Sequence, residues 1–303
     1  MSEESGGKKK VSLAVPGYRL EKVLGQGAMG IVVKGRRETD NLEVAIKVMK
    51  PSNYADARAR FQRESAVLLR INHPNVVRAY DVGELTEGEY QGMYMVLEYL
   101  RGKTLLGYIA ESGALCEEEA LEITRQTAEG LQCINENGLV HRDIKSDNIM
   151  ITEDASVKIM DLGLAKAEEG GALTATGDVF GTPGYMSPEA AIDTKGADIR
   201  GDIYSLGCTL YQALTTHLPF IEKTFAKLLH RLLKEDPQPP KAHNPNLSDV
   251  VNALVLKMLA RDREQRQQTP DELIEDIERV KEGKMPRTVR KPLPKKKGWW
   301  PFG

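Results

Sequence analysis
The chain has 303 residues, 41% hydrophobic and 28% charged, enough length and apolar content for two sizeable cores. No run approaches the ~18 consecutive apolar residues of a membrane helix, and the polar start Met-Ser-Glu-Glu-Ser-Gly-Gly-Lys-Lys-Lys lacks the apolar core of a secretory signal. The net charge of −2 conceals an asymmetry: residues 281–303 hold eight Lys or Arg against one Glu, a net of +7, and the remainder is acidic at −9, which argues against nucleic acid as a direct partner.

In chain order, residues 1–16 are polar, Gly- and Lys-rich, and are expected to be disordered. Two short runs of strand character follow, Tyr18–Leu24 and Ile31–Lys34. Between them lies Gly25-Gln-Gly27-Ala-Met-Gly30-Ile-Val32, a G-x-G-x-x-G-x-V pattern whose glycines let backbone approach phosphates without Cβ clashes. A dinucleotide fold would need a helix directly after the glycines, and a β-like run stands there instead. Val44-Ala-Ile-Lys47 is a third apolar strand. A charged helical stretch occupies Asp56–Arg70 with Glu64 in it, and Met95-Val-Leu97-Glu98-Tyr-Leu100 is a further strand ending in Glu98.

From Arg101 the pattern turns helical. Glu117–Leu131 starts acidic, as the helix dipole favours. Further helices are predicted near 222–234, 248–259 and 270–281, with Asp236-Pro-Gln-Pro-Pro240 as a breaker loop. Cys116, Cys133 and Cys208 are odd in number and lack C-x-x-C spacing, so they read as reduced thiols of a cytoplasmic chain. The tail after Gly283 mixes prolines and lysines with Trp299, Trp300 and Phe302. Three readings stay open for it: a contact with an anionic membrane surface through residues 284–303, a solvated linker, or a partner-docking peptide.

The most informative stretch is His141-Arg142-Asp143-Ile-Lys145-Ser-Asp-Asn148, followed thirteen residues after Asn148 by Asp161-Leu-Gly163. It assembles the parts phosphoryl transfer needs: a carboxylate for the acceptor hydroxyl, a lysine for the transferred group, and a carboxylate and an amide for a metal ion. With the glycine loop, Lys47, Glu64 and Ser187-Pro-Glu189 in the same order, the chain resembles the eukaryote-like (Hanks-type) Ser/Thr protein kinases of bacteria over about residues 17–282. Ser187 stands where the family usually has Ala, and Leu162 where it usually has Phe.

The resemblance implies an α+β, two-lobe protein-kinase fold. A small β-rich lobe with one long helix would span 17–100, a larger helical lobe 101–282, and a basic tail 283–303. It implies ATP and Mg²⁺ as cofactors and the hydroxyls of protein Ser/Thr as acceptors, the Ser/Thr preference resting on Lys145. In that frame Asp143, Lys145 and Asn148 are catalytic, and Asn148 and Asp161 hold the metal. Gly25, Gly27, Gly30, Val32, Ala45, Lys47, Glu98, Leu100 and Met150 surround the nucleotide, Leu97 backs the pocket, and Glu64 pairs with Lys47.

Thr174 and Thr176 are the expected autophosphorylation sites, since a phosphate of about −1.5 to −2 charge would order the loop against Arg142. Trans-autophosphorylation would proceed through a homodimer. Thr182 would bridge Asp143 and Lys145, Asp202 would brace the catalytic loop, and Glu189 would pair with Arg266. The expected location is cytoplasmic, peripheral at the membrane if the tail binds lipid. The alternative is a pseudokinase scaffold that binds nucleotide without catalysis, and its usual mark, a missing lysine or aspartate, is not found.

Overall fold
Alternating β-branched residues at the start of the chain build an antiparallel sheet. A computed structural model describes residues 13–27, 30–49, 55–86, 92–162, 183–193, 196 and 198–287. The strands are β1 (Tyr18–Gly27), β2 (Gly30–Arg37), β3 (Glu43–Met49), β4 (Ala79–Leu85) and β5 (Gly92–Glu98), in the order β1-β2-β3-β5-β4, with helix α1 (Ala55–Leu68) between β3 and β4. One face is dry: Ile31, Val33, Val44, Ile46, Val48 and Val96 are buried there and closed over by Val15. Each such side chain contributes roughly 1.5–3 kcal/mol by burial. Val15 lies in the leading segment expected to be disordered, yet it is 3% exposed and its carbonyl accepts from Tyr18 N. The order therefore reaches back at least to Leu13, because the outer face of the sheet needs a cover.

The opposite face carries Val32, Ala45, Lys47 and Leu97, all half-buried. Val32 pairs with Lys47 across β2 and β3, and Ala45 with Leu97 across β3 and β5, so strand alternation puts all four on one surface. Phe61, Ser65 and Leu68 of α1 are buried at helical spacing. Phe61 and Leu68 join a core that runs through Ile71, Val76 and Met95 into the larger lobe.

The larger lobe is mainly helical: α2 (Leu105–Ser112), α3 (Glu117–Glu136), α4 (Pro188–Ile192), α5 (Ile199–Thr215), α6 (Phe225–Lys234), α7 (Asp249–Met258) and α8 (Pro270–Lys281). Helix α5 is buried along almost its whole length, and α3, α7 and α8 pack on it. The predicted helix near 222–234 begins later, at Phe225, because the Thr224 side chain caps it by accepting from Lys227 N. Ser248 and Thr269 cap α7 and α8 in the same way.

One element departs from the sequence expectation. After Arg101 the chain first forms β6 (Gly102–Thr104), which pairs with β7 (Ile149–Thr152) and through it with β8 (Val157–Ile159). Strands of three or four residues are too short to display alternation. This small sheet matters because β7 follows the His141–Asn148 loop and β8 leads into Asp161. Residues 284–287 of the expected tail are also held: Arg287 N donates to buried Asp276 at 2.7 Å, and Lys257 Nζ donates to Arg287 O at 2.7 Å. The rest of the tail, 288–303, lies outside the described residues.

Candidate active site
The His141–Asn148 loop is shaped by two buried side chains. Asp202, 2% exposed in α5, accepts from His141 N at 2.7 Å and from Arg142 N at 2.8 Å, the bracing role expected of it. Burial pushes its carboxyl up to about 7, against the pull of those two N–H groups. These bonds hold Arg142 at a left-handed φ of 63°, rare for a residue with a Cβ. His141 is the second node: its Nδ1 accepts from Asp143 N at 3.2 Å and its Nε2 meets Met160 O at 2.9 Å. An acceptor at Nδ1 assigns the proton to Nε2, so the ring is a neutral bridge between the loop and the approach to Asp161.

Asp143, Lys145 and Asn148 converge. Asn148 Nδ2 donates to the Asp143 carbonyl at 2.8 Å and to its Oδ2 at 3.0 Å, and Lys145 Nζ stands 3.7 Å from the same Oδ2. With its nitrogen turned to Asp143, Asn148 has its amide oxygen left to face a cation. Met160 N donates to Asn148 O at 2.8 Å, which keeps Asn148 beside the residues leading to Asp161. Lys47 Nζ reaches across from β3 to Asp161 Oδ1 at 2.9 Å, joining the two lobes at the cleft. Asp161 adopts a left-handed φ of 51°, which an aspartate tolerates better than most residues.

The glycine pattern forms a hairpin tip in which Gly27 pairs with Gly30, with residues 28–29 outside the described set. Its glycines are not equivalent. A Cβ on Gly30 would stand 2.0 Å from Val48 O, and its φ is +147°, whereas a Cβ on Gly25 or Gly27 would meet nothing within 4 Å. Gly30 is a packing requirement of the sheet, and Gly25 and Gly27 have open space where a Cβ would stand. Val32, Ala45, Glu98, Leu100 and Met150 are each half-buried. Glu98 is fixed by Lys158 of β8 at 2.9 Å, an ion pair that the sequence pattern does not signal.

The end of the loop after Asp161 is locked to the larger lobe. Arg266, 0% exposed, forks onto Glu189 at 2.6 and 2.8 Å and donates to Ala260 O, Arg200 O and Arg261 O, so the expected pair is a fully bonded buried site. Burial pushes the Glu189 carboxyl up, but Arg266 outweighs it and holds the group below its ordinary value. Ser187 explains its own presence: its side chain caps α4 by accepting from Ala190 N at 3.3 Å, which an alanine could not do. Thr174, Thr176 and Thr182 lie outside the described residues, as does the side chain of Glu64 on α1. No group of three His, Cys, Asp or Glu among the described residues could hold a metal ion. Asp161 and Asn148 carry hard oxygen donors of the kind magnesium takes.

The model of the protein kinase domain family matches residues 18–276. Serine/threonine-protein kinase PknB of Mycobacterium tuberculosis is 37% identical over 277 residues, covering 90% of this chain and 44% of the relative. The probable serine/threonine-protein kinase SCO3848 of Streptomyces coelicolor is 36% identical over 88% of this chain and 40% of its own length. The chain therefore spans under half the length of these relatives. Among solved structures, Rad53 1–466 in complex with AMP-PNP has a TM-score of 0.71 at 29% identity, over 85% of this chain and 64% of that one. The PknI kinase domain of Mycobacterium tuberculosis has a TM-score of 0.69 at 24% identity, over 88% and 97%, a likeness of fold. The chain belongs to the protein kinase family, as a serine/threonine kinase domain of the bacterial Hanks type.

Proposed function
We propose that this domain transfers the γ-phosphoryl group of Mg-ATP to Ser and Thr hydroxyls of protein acceptors. The observation that carries the reading is the convergence of Asn148 and Lys145 on one oxygen of Asp143, with Asp161 held at the facing edge of the cleft by Lys47. Asp143 orients the acceptor hydroxyl and takes its proton. Lys145 lies close enough to Asp143 to neutralise charge on the group in transit. Asn148 and Asp161 would hold magnesium, which when bound supplies charge neutralisation on the phosphates. Lys47 would exchange Asp161 for the α- and β-phosphates, with Glu64 as its counter-ion. Most of the rate enhancement is positioning and electrostatics.

Open space above Gly25 and Gly27 suits phosphates approached by backbone, and Val32, Ala45 and Met150 suit the faces of a purine. Backbone groups of Glu98 and Leu100 would bond its edge. Gly27→Ala should leave the unfolding midpoint unchanged and raise the KM for ATP severalfold. Gly30→Ala should lose more than about 1 kcal/mol of stability, because its Cβ meets an immovable carbonyl at a φ that L-residues avoid. Thermal unfolding beside ATP titration separates the two effects.

The same reading makes Thr174 and Thr176 the autophosphorylation sites, ordered against Arg142 and modified in trans within a homodimer. No helix among the described residues is long and apolar enough to cross a membrane. Composition favours a cytoplasmic location, and the basic tail 284–303 keeps its three readings: contact with an anionic membrane surface, a solvated linker, or a partner-docking peptide. The experiment is transfer from Mg-ATP to a generic acceptor protein, followed by phosphoamino-acid analysis. Phosphoserine and phosphothreonine are expected, abolished by EDTA and restored by excess Mg²⁺. Transfer that survives EDTA, or only phosphotyrosine, would contradict the reading.

A further inference from the structure
One carboxylate grips the chain on both sides of Leu100. Glu43 is the first residue of β3, its side chain is 20% exposed, and three cations meet on it. Its Oε1 accepts from Lys34 Nζ at 2.6 Å and from Arg36 Nη2 at 2.7 Å, and its Oε2 accepts from Arg101 Nη2 at 2.7 Å. Lys34 also stands over the Tyr99 ring, 4.4 Å from its centroid. Glu43 therefore reaches Arg101 directly and Tyr99 through Lys34. Backbone bonds fix the chain on either side: Glu98 N donates to Arg78 O at 2.8 Å, and Glu153 N, in the turn between β7 and β8, donates to Arg101 O at 3.1 Å. The guanidinium of Arg101 thus crosses from a backbone held by the β7–β8 turn to the start of β3. Among the described residues, no backbone hydrogen bond uses the N–H or the carbonyl of Leu100. Those are the groups that would bond the purine edge.

We propose that Glu43 is a positioning residue for the nucleotide, fixing Leu100 through its two neighbours before the purine arrives. This rests on the kinase reading above. The physical case is preorganisation: a segment already held in its binding geometry loses less freedom when the ligand docks. Lys34, and after it Arg101, holds the Glu43 carboxyl down to about 2, so its charge persists throughout the working pH range. Without that charge Lys34, Arg36 and Arg101 are neighbouring cations that repel one another. Glu21 still takes Arg36 at 2.8 Å but stands 3.8 Å from Lys34, and the grip on Tyr99 and Arg101 loosens. Two effects on the KM for ATP then oppose each other. Removing a negative charge attracts an anionic nucleotide and lowers the KM, whereas a loosened segment raises it. A purely structural glutamate would change stability and leave nucleotide binding alone, so the sign of the change assigns the role.

The test uses the full chain and the variants Glu43→Gln, Arg101→Gln and the double variant, each checked by thermal unfolding. It measures kcat and the KM for ATP in transfer to a generic acceptor protein. Beside these it measures the Kd of adenosine, an uncharged probe that carries the purine without phosphates. Glu43→Gln should raise the KM for ATP and the Kd of adenosine by the same factor, about fivefold, with kcat held within about twofold. Arg101→Gln should raise the Kd of adenosine about threefold, and the double variant should match Glu43→Gln within about twofold, because both changes break one contact. For Arg101→Gln charge alone also raises the KM for ATP, so adenosine is the deciding reading there. Where Glu43→Gln does not fold, Arg101→Gln carries the test, its side chain being 60% exposed. A KM for ATP in Glu43→Gln that falls or stays within about twofold of wild type, or an adenosine Kd that does not move in the folded variants, overturns the inference. A wild type that neither transfers phosphate nor binds adenosine overturns the kinase reading and this inference with it, whereas an active wild type with unaffected variants overturns the inference alone.

Discussion

Asp143→Asn is expected to lower kcat for protein phosphorylation by about 10²–10⁴-fold while leaving the fold intact. The substitution is isosteric, and an amide oxygen can still accept from Asn148 Nδ2, which bonds Asp143 Oδ2 at 3.0 Å. What disappears is the negative charge and basicity that the proposed mechanism assigns to orienting the acceptor hydroxyl and receiving its proton. At 1.36 kcal/mol per decade the loss amounts to about 3–5 kcal/mol of transition-state stabilisation. The KM for ATP should move by less than about threefold, because in the proposed reading Asp143 serves the acceptor and Lys47 and Asp161 serve the nucleotide. Steady-state kinetics beside thermal unfolding reads both effects, and a fall in kcat of less than about tenfold would remove Asp143 from the chemistry.

Glu189→Ala is expected to give the largest stability loss of any single charge removal in the larger lobe, about 3–5 kcal/mol. Arg266 is 0% exposed, and Glu189 is the carboxylate it forks onto. Deleting that group leaves a buried guanidinium with three backbone carbonyls and the face of the Tyr204 ring, and no counter-charge. The pH dependence has a definite sign. Arg266 holds the Glu189 carboxyl below its ordinary value of 4.5. The pair's contribution is therefore fully present above about pH 4.5 and is lost as pH falls through the lower, folded-state value. Denaturant unfolding of wild type and Glu189→Gln across pH 3–7 should show the gap closing at the acid end. A gap that is constant, or that widens on acidification, would contradict the assignment.

The parts of the site that were legible in the sequence are those in which chemistry dictates residue type at short spacing. Asp143, Lys145 and Asn148 sit within six residues, so their types and spacing are read from one short stretch. The Arg266–Glu189 pair was legible only through family resemblance, since 77 residues separate its members. The unread parts depend on long-range geometry or on very short elements. Strands β6, β7 and β8 have three or four residues each, below the length at which a period of two can be recognised. Lys47 was expected against Glu64, and its contact with Asp161 arises only when the two lobes meet across 114 residues.

Gln212 offered no signal, being one of several polar residues, among them Asp202, Ser205 and Thr209, in a helix buried along almost its whole length. Its partners, the hydroxyls of Ser146 and Tyr185, are delivered to it by the fold. Gly30 looked like its neighbours in the phosphate-loop pattern. The approach of Val48 O reveals it as a packing glycine, a distinction that a spacing motif cannot carry.

The most direct test of the central claim is the intact mass of the full chain after incubation with Mg-ATP, with Asp143→Asn beside it. The account predicts added mass in steps of about 80 Da, one per phosphate, in wild type and not in the variant, with fragments placing phosphate on Thr174 or Thr176. Equal incorporation in both proteins would contradict it, as would none in wild type when a generic acceptor protein is also present and also stays unmodified.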